Sequence, residues 1–316
     1  LRTDRRTVLT IGNFDGVHAG HVALLRRANA IATSHPDSPR VVALAFSPHP
    51  LSVLAPGRQP ATLTTFETRE RLLLASGADE VVRLDPTGGL LEQAPEEFIE
   101  SLVRDFAPVA IVEGPDFHFG KARRGNIDTL RALGERHSFD VHVVDGVRVR
   151  LSDSRDVPAS STLARWMIIH GRVADAASVL TRPYFITGEV VRGARRGREL
   201  GVPTANISTS CLPPGEGVYA GRATLPDSSV FPAAISVGTN PTFGENRLSV
   251  EAHILDWTGF HDDAREYGWP IELTFDAWLR DQLRFESIDA LKGQMWRDIE
   301  RARDITAPLL LSGARA

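Results

Sequence analysis

Along the first half of the chain the spacing of apolar positions switches repeatedly between two periods. Residues 8–12, 41–46, 80–84, 109–113 and 141–145 are short β-branched runs that read as strands. Residues 21–32, 67–76, 95–106 and 127–137 lie between them and carry apolar side chains three and four apart, as one face of a helix does. Strands alternating with helices of this length predict βαβ units and a Rossmann-like parallel sheet with helices on both faces. Right-handed crossovers then gather the loops after the strand C-termini on one edge, where such sheets bind ligands.

Two further helical segments, 161–170 and 173–180, end that pattern. After them, 185–191, 218–225, 231–237, 248–255 and 271–277 are strand-like and separated by Gly, Pro and Asn turns. Helical spacing returns only at 288–303. Strands in succession without helices between them predict antiparallel pairing, hence a small barrel or sandwich closed by a terminal helix. Pro183 disfavours helix at the residue before it, which sets a boundary near Thr181-Arg182-Pro183 and two domains, 1–181 and 182–316.

A length of 316 residues suits two domains of about 150 residues each. Lys plus Arg is 36 against 40 for Asp plus Glu, a formal charge of −4, which argues against a nucleic acid held by bulk electrostatics. No apolar stretch approaches the roughly 20 residues of a spanning helix, and Leu1 to Arg6 lack the apolar core of a secretory signal. A single cysteine, Cys211, excludes an internal disulfide and a multi-thiolate metal site. The expectation is a cytoplasmic protein without a membrane partner; self-association is not legible.

Two stretches carry chemistry. Gly12-Asn13-Phe14-Asp15-Gly16-Val17-His18-Ala19-Gly20-His21 follows the first strand and opens the first helix. A helix N-terminus offers unpaired N–H groups and positive potential to an anion. Histidines three apart reach the same side of that first turn, and Gly20 between them admits a phosphate close to the backbone. The bland alternative is an Asp-Gly turn followed by surface histidines. The second stretch is the most basic of the chain: Arg192, Arg195, Arg196 and Arg198 with interleaved glycines, then Pro203-Thr204-Ala205-Asn206. It reads as a mobile loop wrapping a nucleotide's phosphates, against a solvated loop or a nucleic-acid patch.

The first stretch resembles the His-x-Gly-His signature of the nucleotidyltransferase superfamily. Further blocks extend the likeness: Phe46-Ser47-Pro48-His49-Pro50, Asp116-Phe117-His118-Phe119-Gly120, Ser160-Ser161-Thr162-Leu163-Ala164-Arg165, Pro203 to Asn206, Gly238 to Gly244 and Val250-Glu251-Ala252-His253. In this order they are similar to the bifunctional bacterial riboflavin kinase/FAD synthetases.

The resemblance implies that the first domain transfers adenylyl from ATP to FMN. His18 and His21 would stabilise the leaving pyrophosphate, with Gly12, Asn13, Phe14, Asp15 and Gly20 completing the ATP site. Ser160, Ser161, Thr162 and Arg165 would form a second phosphate-binding helix start, and Asp116 and Phe117 would meet the flavin. In the second domain, Gly193, Arg198, Thr204 and Asn206 would hold ATP phosphates, Thr204 and Asn206 also Mg²⁺, while riboflavin becomes FMN. Glu251 would be the carboxylate at the riboflavin 5′-hydroxyl. A carboxylate is far too weak a base to strip that hydroxyl in advance, so positioning, with proton acceptance as charge transfers, is the expected role.

Two other readings stay open: an active kinase beside an altered or silent first domain, and a flavin- or nucleotide-sensing binding protein. Ser47, His118, Ala164 and Ser236 depart from the family's usual Asp, Arg, larger aliphatic residue and Asn. The stretch from Trp257 to Tyr267 is longer than usual.

Overall fold

The structure, a computed structural model, describes residues 6–193, 196–239, 248–259 and 266–313. Arg195, Asn240 to Gly244 of the flavokinase-like block, and the middle of the long 257–267 stretch lie outside the described residues.

All five predicted N-terminal strands form. They are β1 (Thr7–Gly12), β2 (Arg40–Phe46), β3 (Glu80–Leu84), β4 (Pro108–Glu113) and β5 (Asp140–Val143), and the order β3-β2-β1-β4-β5 is parallel throughout. Its helices are α1 (Ala19–Ser34), the short α2 (Leu51–Leu54), α3 (Phe66–Ala75), α4 (Pro95–Phe106) and α5 (Ile127–His137).

Strand alternation sorts the core into two layers. Val8, Val41 and Ala43 pack with Phe14, Val17, Leu25 and Ala28 on the α1 side. Leu9, Ile11, Val42, Leu44 and Ile111 meet Phe98, Ile99 and Leu102 of α4 and Leu130 and Leu133 of α5. Burial on both faces explains why these strands read as continuous apolar runs. A small hairpin, β6 (Arg148–Arg150) with β7 (Asp156–Pro158), was not expected from the pattern. Alternation over three residues is too short to register.

Next come α6 (Ser161–Ile169) and α7 (Val173–Leu180), then β8 (Tyr184–Val191), the single turn α8 (Arg196–Glu199), β9 (Ala205–Ser208), β10 (Gly217–Thr224), β11 (Val230–Gly238), β12 (Ser249–Ile254), β13 (Pro270–Arg280) and α9 (Ile288–Gly313). Antiparallel pairing in the order β10-β11-β12-β9-β8-β13 closes a six-stranded barrel. Closure needs β9, which lies in a stretch that reads as a nucleotide loop because four residues starting Ala-Asn show no clear alternation.

Tyr184, Tyr219 and Phe275 are fully buried with their rings in contact. One side of the barrel, with Val218, Ala220 and Leu279, takes Ala302 and Ile305 of α9.

The chain divides into two compact units, and the second contains more than the barrel. Residues 61–65, 150–155 and 162–181 belong to it. Leu212 N–H donates to Thr62 O at 2.7 Å, and the Tyr184 hydroxyl to Leu212 O at 2.7 Å. Arg172 pairs with buried Asp175 and with Asp153, and Asp175 also accepts from Ser152 N–H at 2.8 Å. No described helix is long and apolar enough to cross a membrane.

Candidate active site

Each unit carries one constellation of the expected residues. In the sheet unit, β1 ends at Gly12 and the chain turns through Phe14, Gly16 and Val17, all at positive φ. Val17 is β-branched and Phe14 aromatic, so this backbone stores roughly 1–3 kcal/mol per residue, held by burial of both side chains. Two buried side-chain oxygens here, Thr10 Oγ1 and Asn13 Oδ1, have no hydrogen-bond partner within the described residues. An orphaned acceptor at the mouth of a parallel sheet suits a ligand that donates to it.

His18 is the N-cap of α1 and His21 lies in its first turn. His18 Nδ1 accepts from Gly20 N–H at 3.1 Å, and His21 Nδ1 accepts from His18 N–H at 3.3 Å. The rings stack with centroids 3.7 Å apart. With Nδ1 accepting in both, each neutral ring carries its hydrogen on Nε2, the form that donates to an oxygen. Burial, His18 and Arg69 together hold the His21 imidazole well below its ordinary value. A Cβ on Gly20 would meet His18 Cε1 at 2.9 Å, so the capping ring requires glycine there.

Asp15 faces a buried cation. Its carboxylate lies 3.7 Å from Arg69 Nη2, both side chains nearly buried, and Arg69 Nη1 donates to Phe46 O at 2.9 Å. Ser161 Oγ donates to Asp15 O at 2.7 Å, so the start of α6 is brought to the β1 loop. Thr162 is exposed. The division between units runs through α6 after Ser161, and Arg165 Nε donates to Ala61 O at 2.7 Å in the barrel unit. Beyond β4, Asp116 is exposed and Phe117 is half-buried, stacked on Phe119 at 5.4 Å. His118 has Arg123 Nη2 at 3.5 Å, a cation beside the position where the family commonly has Arg.

In the barrel unit the site is assembled by register. Glu251 on β12 lies opposite Asn206 on β9 and opposite Ser236 on β11. Thr204 Oγ1 donates to Glu251 Oε2 at 3.1 Å, and Ser249 Oγ lies 3.3 Å from Glu251 Oε1. A Cβ on Gly193 would fall 2.1 Å from Asn206 Nδ2, so the Asn206 amide lies directly against the Gly193 backbone. Arg198 pairs with Glu266 at 3.1 Å. Ser236 accepts from Gln282 Nε2 at 2.7 Å.

Ser249 and Arg69 escaped the sequence reading, and His253 entered it only as the end of a quoted block. Ser249 and His253 share Glu251's face by period-two spacing, and His253 Nδ1 donates to Pro203 O at 2.7 Å, tying the Pro-Thr-Ala-Asn segment to β12. That spacing was a usable signal. Arg69 gave none, since its buried pairing with Asp15 depends on how α3 packs.

Comparison with known proteins matches two family models to the chain. A family model described as FAD synthetase matches residues 1–157, and one described as riboflavin kinase matches residues 180–306. The bifunctional riboflavin kinase/FMN adenylyltransferase of Escherichia coli (strain K12) is 35% identical over 306 residues, 94% of this chain and 92% of its own. That of Pseudomonas fluorescens is 33% identical over 317 residues, 98% and 96% of the two chains. Among solved structures, one described as a macrolide-efflux protein from Streptococcus pneumoniae matches with a TM-score of 0.82 at 28% identity over 95% of each chain, a likeness we use for the fold. The chain belongs to the bifunctional riboflavin kinase/FMN adenylyltransferase family.

Proposed function

We propose that this protein phosphorylates riboflavin with ATP to give FMN, then adenylylates FMN with a second ATP to give FAD and pyrophosphate. The observation that carries the reading is the presence of two separate phosphate-handling constellations, His18–His21 in the sheet unit and Thr204–Asn206–Glu251 in the barrel unit. Adenylylation is assigned to residues 1–181 and phosphorylation to 182–316, although residues 162–181 group with the barrel unit.

Adenylyl transfer needs no protein nucleophile. An FMN phosphate oxygen attacks the α-phosphorus of ATP, the bond to the bridging oxygen breaks, and pyrophosphate leaves. Catalysis is alignment and stabilisation of developing charge. The Nε2–H groups of His18 and His21, the N-terminus of α1 and the Asn13 amide supply donors. Ser160 and Ser161 provide the second phosphate contact, and Asp116 and Phe117 the flavin contact.

In the kinase site, Glu251 orients the riboflavin 5′-hydroxyl and takes its proton as charge transfers. Gly193 and Arg198 approach the nucleotide phosphates, with Arg198 exchanging Glu266 for them. The hydroxyl of Thr204, the amide oxygen of Asn206 and the Glu251 carboxylate are hard oxygen donors of the kind Mg²⁺ takes, so Thr204 and Asn206 would hold it. When bound, the ion offsets charge on the phosphates.

Incubation with riboflavin, ATP and Mg²⁺, followed by separation of the flavins, tests the reading. FMN and then FAD are expected. A folded protein that stops at FMN removes the adenylylation half; one that makes neither removes the whole proposal.

A further inference from the structure

Glu113 is the last residue of β4, is 2% exposed and stands outside both constellations. Its Oε1 accepts the Ile11 N–H at 2.6 Å. The backbone register between β1 and β4 ends at Leu9 opposite Ile111, so two residues further along a side chain takes over the cross-strand contact. On the far side β4 stays attached to its neighbour, with Val144 N–H donating to Glu113 O at 2.9 Å. The β1–β4 junction is also where the strand order reverses, the switch point at which open α/β sheets bind ligands.

Resting on the adenylyltransferase reading above, we propose that Glu113 is a positioning residue for adenylyl transfer. Its carboxyl acts as a spacer that fixes the separation between the C-terminal ends of β1 and β4. The loop after β1 carries Asn13, His18 and His21, and the loop after β4 carries Asp116 and Phe117. One loop is assigned to ATP and the other to FMN, so the strand separation sets the distance between attacking phosphate and α-phosphorus. Binding of either substrate alone does not depend on that distance; in-line attack does. Reaction rates fall steeply when reacting atoms are misplaced by about an ångström. Burial pushes the Glu113 carboxyl well above the usual carboxylate range, opposed by the Ile11 N–H, so an uncharged acceptor of the same length should serve as well.

The experiment is steady-state adenylylation of supplied FMN by the full-length protein and its Glu113→Gln and Glu113→Asp variants. Riboflavin phosphorylation by each preparation serves as the control. Glu113→Gln keeps the reach of the acceptor and should retain kcat within about 3-fold. Glu113→Asp keeps the carboxyl but withdraws it by one methylene, and should lose about 10-fold or more in kcat with KM for ATP and FMN little changed. Equal loss in both variants, a full kcat in Glu113→Asp, or a loss confined to KM overturns the positioning role. Absence of FAD from the wild-type protein would instead overturn the functional reading on which it rests.

Discussion

The two constellations are built by opposite routes. In the sheet unit, ten consecutive residues pass from β1 into α1, and local geometry does most of the work: a cap, two backbone-to-imidazole hydrogen bonds and a strained turn. In the barrel unit, the parts come from the stretch between β8 and β9, from β9 and from β12, and antiparallel register places Glu251 opposite Asn206. A site made within one turn is defended by local strain and burial. One made across strands is defended by the whole ladder, and a shift of one residue would turn Glu251 to the other face.

The sharpest way to separate the two is Glu251→Gln. Riboflavin phosphorylation should fall by about 10³-fold, while adenylylation of supplied FMN stays within about 2-fold. Equal loss of both activities in a folded variant would mean that the sites are not independent.

Replacing His18 and His21 together with Ala should give the opposite phenotype. FMN should accumulate from riboflavin, and FAD formation should drop by about 10²-fold or more. Undiminished FAD synthesis would remove the β1–α1 loop from the chemistry.

A third test concerns what the barrel needs in order to fold. A fragment of residues 182–316 lacks α6 and α7, and Val173, Ala176, Val179 and Leu180 of α7 are buried. Its melting temperature should lie on the order of 10 °C below that of a fragment starting at Ser161. Identical melting curves would show that α6 and α7 add nothing to the barrel.

The smallest effect is a pH dependence confined to the sheet unit. His21 in the folded protein takes up its proton well below the ordinary value of 6.5. The unfolded chain therefore binds that proton first, and stability present above about pH 6.5 is lost as the pH falls toward the lowered value. The limit is about 1.4 kcal/mol per pH unit for one group. Thermal unfolding between about pH 7.5 and about pH 5.5 should show a slope that His21→Asn reduces. An unchanged slope would mean that His21 is not the group responsible.

Periodicity alone was enough for most strands and helices and for the parallel-then-antiparallel division, because each depends on residues near in sequence. Strands β1 to β5 and helices α4, α5 and α7 lie within a residue or two of their expected bounds. The same local logic singled out His18, Gly20 and His21. Glu251 had no such support, since alternation along β12 shows only that it faces away from Val250 and Ala252.

Tertiary structure decided what distance in sequence hides. It closed the barrel through β9, gave Asp15 to Arg69 and Ser161 to the Asp15 carbonyl, and moved residues 61–65 and 162–181 into the barrel unit. It also buried the Glu113 carboxyl between β1 and β4, on which the sequence pattern was silent. Local spacing determines which face of an element is apolar. Which elements share a face depends on burying those surfaces together, and that free energy belongs to the assembled chain rather than to any window along it.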